Sequence, residues 1–241
     1  MPANDLTALG LYLGCILAAG LPAVLLKARF NLPFELTRKL YHLVITLSIF
    51  PLVKFFSAWY TAVLAAVLFA VLVYPLLLLV ERSPLYRRIA VERAGGEFKS
   101  SLLVVQASLA LLLLIFWGLL GAEWKYVAVV AVMAWGLGDA AAALVGKNFG
   151  RRRIRHPRIE GTKTVEGTRA MFLTSALAIF LTLLLYAGQP WTLSAAVALL
   201  VAPVCALVEL FSRRGLDTLT VPVSAGLAVL TLMALFSSLG V

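Results

Sequence analysis

The sequence predicts an all-α polytopic membrane protein with about eight transmembrane helices, and three observations lead there. Of its 241 residues, 62% are hydrophobic and only 13% are charged. The mean hydropathy is +0.99, whereas a soluble domain is nearer half apolar and a quarter charged. Apolar runs of roughly twenty residues, each long enough to cross a hydrocarbon core about 30 Å thick, cover most of the chain. Backbone facing lipid must satisfy its own hydrogen bonds, and these runs lack the strict alternation of barrel strands, so the spans are helices.

The expected spans lie approximately at residues 6–26, 39–56, 58–80, 101–121, 124–146, 168–187, 191–211 and 220–239. The first follows Asp5 with no basic stretch ahead of it and precedes Lys27 and Arg29, which fits a retained span rather than a cleaved signal peptide. The second opens on Arg38-Lys39-Leu40-Tyr41-His42, and the third and fourth flank a Gly95-Gly96 turn. The fifth carries Asp139 and the seventh Glu209. A basic loop over residues 147–168, too rich in glycine and arginine for a regular span, leads into the sixth, and Asp217 precedes the eighth. No repeat or second soluble segment is visible, so residues 1–241 are expected to form one membrane-embedded domain. Cys15 and Cys205 both fall inside apolar runs and imply no disulfide framework.

The net charge of +10 sits in short loops between spans rather than on one solvated face, which argues against nucleic acid as a partner. The odd-numbered loops and their edges hold 19 of the 21 Lys and Arg, leaving Lys54 and Lys125 on the other side. The positive-inside rule then places those loops in the cytoplasm and both termini outside, in what is expected to be a prokaryotic cell membrane. Nine of the eleven acids also fall on that side, Asp5 and Glu123 being the exceptions. Charge bias does not account for acids, so a site facing the cytoplasm is expected.

Several constellations suit that site. Asp139 lies about 10 Å inside the end of its span, where an ionised carboxylate costs several kcal/mol unless it is paired or holds a cation. On a helix it shares a face with Ala143, Gly146 and Gly150, a strip free of bulky side chains beside Lys147 where a phosphate chain with a divalent cation has room. The plainer alternative is helix packing by small residues. Gly161-Thr162-Lys163-Thr164-Val165-Glu166-Gly167 offers a compact cation, two hydroxyls and a helix N-terminus, which together suit phosphate. In the plainer reading Glu166 complements the helix dipole and Lys163 snorkels. Arg38, Lys39 and His42 are spaced to point one way, His42 being a candidate proton acceptor. Glu209 and Asp217 are candidate metal ligands or, for Glu209, a general base.

In these residues the chain resembles the CTP-dependent polyprenol kinases, a family that includes dolichol kinase, phytol kinase and the fungal CTP-dependent diacylglycerol kinase. Arg38-Lys39 with His42 looks like its early Arg-Lys-x-x-His, and Gly138-Asp139 with Gly146 and Gly150 looks like its Gly-Asp helix. Lys163-Thr164-Val165-Glu166-Gly167 looks like its Lys-Thr/Ser-x-Glu-Gly, and Glu209 with Leu216 to Pro222 is similar to its closing acidic segment. Glu97-Phe98-Lys99 fits its Gly-Glu segment only loosely. The resemblance runs from residue 38 to residue 222 and implies transfer of the γ-phosphate of CTP to a membrane alcohol of the phytol or polyprenol type, or to diacylglycerol, with Mg²⁺. It implies catalytic roles for Asp139, Lys163, Glu166, His42 and Glu209, and metal binding by Asp139, Glu209 and Asp217. Nucleotide binding would fall to Arg38, Lys39, Gly146, Lys147, Gly150, Thr162, Lys163 and Thr164. Without a Walker motif the residues alone suit ATP equally, and CTP rests on the resemblance.

Two other functions compete. The Asp-bearing helix and the Lys-Thr-x-Glu-Gly motif also resemble phosphatidate cytidylyltransferases, but the closing His-Gly-Gly and Asp-Arg signature of that family does not occur after Glu166. An ion-coupled transporter would place acids within reach of both faces, whereas here they gather toward one. The sequence does not choose the acceptor alcohol, the general base or the oligomeric state.

Overall fold

The computed structural model describes residues 3–30, 32–83, 86, 97–213 and 215–239. Among these residues eight helices are long and apolar enough to cross a membrane: Asn4–Phe30, Phe34–Phe55, Trp59–Val80, Lys99–Leu119, Ala122–Phe149, Val165–Tyr186, Trp191–Phe211 and Asp217–Ser238. All-α polytopic architecture is therefore what the chain adopts. Each span begins within about three residues of its expected start, apart from the second, which begins five residues earlier.

We number the α-helices α1 (Ala3–Phe30), α2 (Phe34–Leu47), α3 (Ile49–Phe55), α4 (Trp59–Val80), α5 (Glu97–Leu113), α6 (Lys125–Phe149), α7 (Val165–Leu181), α8 (Trp191–Phe211) and α9 (Asp217–Ser238). The second span is thus two helices in line, broken at Ser48, whose hydroxyl turns back onto the Ile45 carbonyl at 2.6 Å. Pro51 lies just beyond, in the first turn of α3, where its missing N–H is tolerated. Wide π turns end two spans, at Leu114–Leu119 after α5 and at Thr182–Tyr186 after α7.

The chain divides into two compact units, Met1–Gly118 and Leu119–Val241. In the first unit α1 packs on α2 and α3, and α4 packs on α5. Tyr12 is fully buried there and meets Phe56 and Phe69 edge to face, with centroids 6.3 and 6.2 Å away. Asp5, also buried, accepts a 3.2 Å hydrogen bond from the Ser57 hydroxyl.

In the second unit α6 is the central element, packing on α7 and α9, while α8 packs on both α7 and α9. Residues Val127 to Val132, Ala134 and Trp135 are all buried, because a helix enclosed by neighbours on several sides is apolar around most of its girth. The α6–α7 seam is close because glycine lines it. A Cβ on Gly167 would stand 3.0 Å from the Ala142 carbonyl oxygen and 3.2 Å from the Gly146 Cα. One on Gly150 would collide with the Gly146 carbonyl and come within 2.6 Å of the Thr164 methyl. At Gly138 the obstacle is the thioether end of the buried Met171, a flexible side chain rather than backbone.

Gly150→Ala is therefore expected to lower stability by about 1–3 kcal/mol, the usual range for overpacking. Gly138→Ala should cost less, since a flexible side chain can yield. Gly14→Ala, with nothing within 4 Å of the added methyl, serves as the neutral control. Thermal unfolding in detergent would rank the three, and a Gly150→Ala midpoint equal to that of Gly14→Ala would contradict the seam described.

Candidate active site

Local structure at the start of α7 begins with Thr164, which has extended backbone angles (φ −127°, ψ 152°) and accepts a 3.1 Å bond from the Gly167 amide. That is a standard threonine N-cap, satisfying one of the helix's orphan donors. The same hydroxyl faces Gly146 across the seam, 3.2 Å from where a Cβ would stand. Gly146 and Gly150, expected from sequence to border nucleotide, thus have their open sides against Thr164 and Gly167.

Glu166 begins the helix rather than ending a loop, because α7 starts three residues earlier than the expected span. Its carboxylate oxygen Oε2 accepts from the backbone amides of Arg151 and Arg152 at 3.1 and 3.2 Å. Two further backbone bonds, Ile154 N–H to the Lys163 carbonyl and Val165 N–H to the Arg152 carbonyl, both 2.9 Å, pair the two ends of the basic loop. Residues 151–154 therefore run antiparallel to residues 163–165, bridged at Arg153 and Thr164. Glu166 is the clasp on that pairing.

Pinned this way, Lys163 points its ammonium at α8. Its Nζ donates to the Glu209 carboxylate Oε1 and, at 3.2 Å, to the Glu209 backbone carbonyl. The Glu209 side chain is 7% exposed and that of Lys163 is 27% exposed. Removing one member of a buried pair typically costs about 3–5 kcal/mol, because the other charge is left without a partner.

Asp139 is partly exposed on α6. Its depth relative to Glu209 follows from packing. A Cβ on Gly138 would stand 3.5 Å from the Ser175 Cβ, and Ser175 lies beside Cys205, so these three residues share a level. Asp139 is one residue beyond that level along α6 and Glu209 four residues beyond it along α8, both helices running toward the basic loop. At 1.5 Å per residue the two carboxylates differ in depth by about 4.5 Å, less than one helical turn. Asp217 lies in the first turn of α9, partly exposed, after a turn in which Gly215 has φ +73°. Lys147 falls inside the last turn of α6, and Thr162 is exposed in the loop.

Among the described residues no three His, Cys, Asp or Glu side chains gather closely enough to hold a metal ion. Asp139, Glu209 and Asp217 do not form a protein cage. Magnesium seldom needs one, since it commonly takes one or two carboxylates and completes its shell with phosphate oxygens and water. Asp139 and Glu209, close in depth at the end of the unit that carries the basic loop, fit that pattern.

The remaining expected residues belong to the first unit. Arg38 is paired with Glu35 one turn earlier, Nη2 to Oε2 at 2.9 Å. Lys39 is buried, His42 is half-buried, and the His42 carbonyl accepts the Thr46 hydroxyl at 3.0 Å. Glu97 opens α5, while Gly95, Gly96 and Arg214 lie outside the described residues. Lys99, also buried, pairs with Glu81 at 2.7 Å.

Glu166→Gln should keep α7 intact while loosening the loop it clasps. Amide hydrogen exchange at Arg151 and Arg152 is expected to quicken in that variant, with exchange inside α7 unchanged. Unaltered rates at those two amides would remove Glu166 from this role.

No protein-family profile and no solved structure matches the chain. A curated protein does: over 99 residues, 41% of this chain, it is 41% identical to a phytol kinase of Synechocystis sp.. The matched stretch spans 40% of that relative's length.

Proposed function

We propose that the chain is a lipid-alcohol kinase that moves the γ-phosphate of CTP to the hydroxyl of a membrane isoprenoid alcohol, at the end of the second unit that carries the basic loop, in the cytoplasm. The Lys163–Glu209 pair is the observation that carries the reading: a partly exposed cation held on a buried carboxylate, with Asp139 at a similar depth on α6. The likeness to a phytol kinase supports the choice of acceptor class.

In this mechanism Lys163 exchanges partners. Without nucleotide its charge compensates Glu209; when the triphosphate enters, the ammonium turns to the phosphate oxygens, a partner of equal sign and greater charge. Glu209 is then left as a buried carboxylate released from its cation. It is thereby suited to take the proton of the acceptor hydroxyl as that oxygen attacks the γ-phosphorus. The bond from the γ-phosphorus to the bridging oxygen breaks, the nucleoside diphosphate leaves with its electron pair, and the phosphate stays on the alcohol. A bound Mg²⁺, for which Asp139 is the first candidate ligand, would neutralise charge on the phosphates. Phosphoryl transfer needs positioning and charge stabilisation above all, which a few cations and carboxylates supply. The alcohol's hydrocarbon tail stays in the bilayer while its hydroxyl reaches the helix ends.

Incubation of the purified protein with γ-labelled CTP, Mg²⁺ and a panel of phytol, geranylgeraniol, polyprenols and diacylglycerol tests this. Label is expected on an alcohol. Asp139→Asn, which keeps side-chain shape, should lower turnover by at least about a hundredfold, while the thermal midpoint moves little. Lys163→Ala would strand Glu209, so the informative partner variant is the double change Lys163→Met with Glu209→Gln, which leaves no lone buried charge and should be folded and inactive. Full activity in Asp139→Asn, or release of pyrophosphate with a CDP-lipid product from phosphatidate, would overturn the reading.

A further inference from the structure

A cavity of about 560 Å³ opens beside the carboxyl end of α8, lined by His156, Arg158, Phe211 and Arg213. We propose that it receives the nucleoside end of the donor nucleotide. The assignment rests on the kinase reading above and adds to it a place for the base, on residues that no sequence motif singled out.

The cavity falls within the size range of small-molecule sites, about 300–1,000 Å³. Its lining contains two guanidinium groups and no carboxylate. The His156 and Phe211 rings stand 6.0 Å apart at 82°, edge to face. In such a pair one ring keeps both faces clear of its mate, so a third planar ring can stack there. His156 Nδ1 accepts the Arg158 amide at 3.1 Å, which in the neutral ring assigns the proton to Nε2 and leaves a donor for a carbonyl or ring nitrogen of a base. Arg213 donates Nε to the Arg158 carbonyl at 3.0 Å and Nη2 to the Pro157 carbonyl at 2.9 Å. These bonds fasten the basic loop to the helix end and hold a permanent positive charge at the rim.

Position supports the same occupant. Phe211 follows Glu209 by two residues on α8, and His156 is on the loop that runs on to Lys163. The cavity and the Lys163–Glu209 pair thus share one end of α8 but open on different sides of it, so a nucleotide joining them would pass around the helix end. An aromatic pair with a ring N–H donor, flanked by cations, suits a base with its attached phosphate better than a headgroup phosphate alone.

The test measures binding of Mg·CTP and of Mg·tripolyphosphate to the protein in phosphatidylcholine nanodiscs, for the wild type and for His156→Ala, Phe211→Leu and Phe211→Tyr. The first two variants should bind CTP about tenfold more weakly yet keep wild-type affinity for tripolyphosphate, since only the base has lost its stacking partner. Phe211→Tyr, which retains a ring, should bind CTP as the wild type does. Equal CTP affinity in all variants, with a wild type that binds CTP, would overturn the cavity assignment and leave the kinase reading standing. A wild type that binds neither probe would overturn both.

Discussion

Close approach of α6 and α7 around one threonine hydroxyl is the constraint on which the second unit depends. Thr164 caps α7 and at the same time fills the space that side chains on Gly146 and Gly150 would need. In lipid, where no hydrophobic force drives helices together, such backbone contact is the main source of association. It also decides chemistry. Thr164 is held against α6, and its neighbour Lys163 reaches Glu209 on α8. The ion pair thus starts one residue from the threonine that seats α7 on α6.

The loop before α7 shows how the same economy continues. Eight Lys and Arg lie between residues 147 and 169, a density that would repel itself if the segment were free to move. One carboxylate on two backbone amides, a short antiparallel pairing and one arginine on two carbonyls give the loop a fixed path. Backbone groups are thereby satisfied and most of the side-chain charge is left facing outward. The loop is thereby a basic surface of fixed shape.

Much of the fold was legible in sequence because span length and apolar composition are imposed by bilayer thickness, independently of tertiary contacts. The seam was legible in part: Gly146 and Gly150 stand out, but the choice between phosphate binding and helix contact turns on what faces them across space. Glu166 illustrates the limit from another side. In sequence it reads as a catalytic acid or a dipole-complementing one, and only the path of residues 151–154 reveals the two amides on its oxygen. The Lys163–Glu209 pair joins residues 46 apart with no shared periodicity, so nothing local announces it. The Arg38–Glu35 pair, by contrast, has the one-turn spacing that a helix makes adjacent, so it is legible from sequence. His156 and Phe211 carried no signal at all, as their neighbourhood exists only once the loop is tied to α8.

In the proposed mechanism Lys163 serves two anions in turn, the Glu209 carboxylate that it meets in this structure and the triphosphate of the donor. A double-mutant cycle of thermal stability over Lys163→Met and Glu209→Gln, run with and without saturating Mg·CTP, measures that exchange directly. The account predicts a stabilising coupling between the two residues in the absence of nucleotide that largely disappears in its presence. A coupling of the same size under both conditions would contradict it.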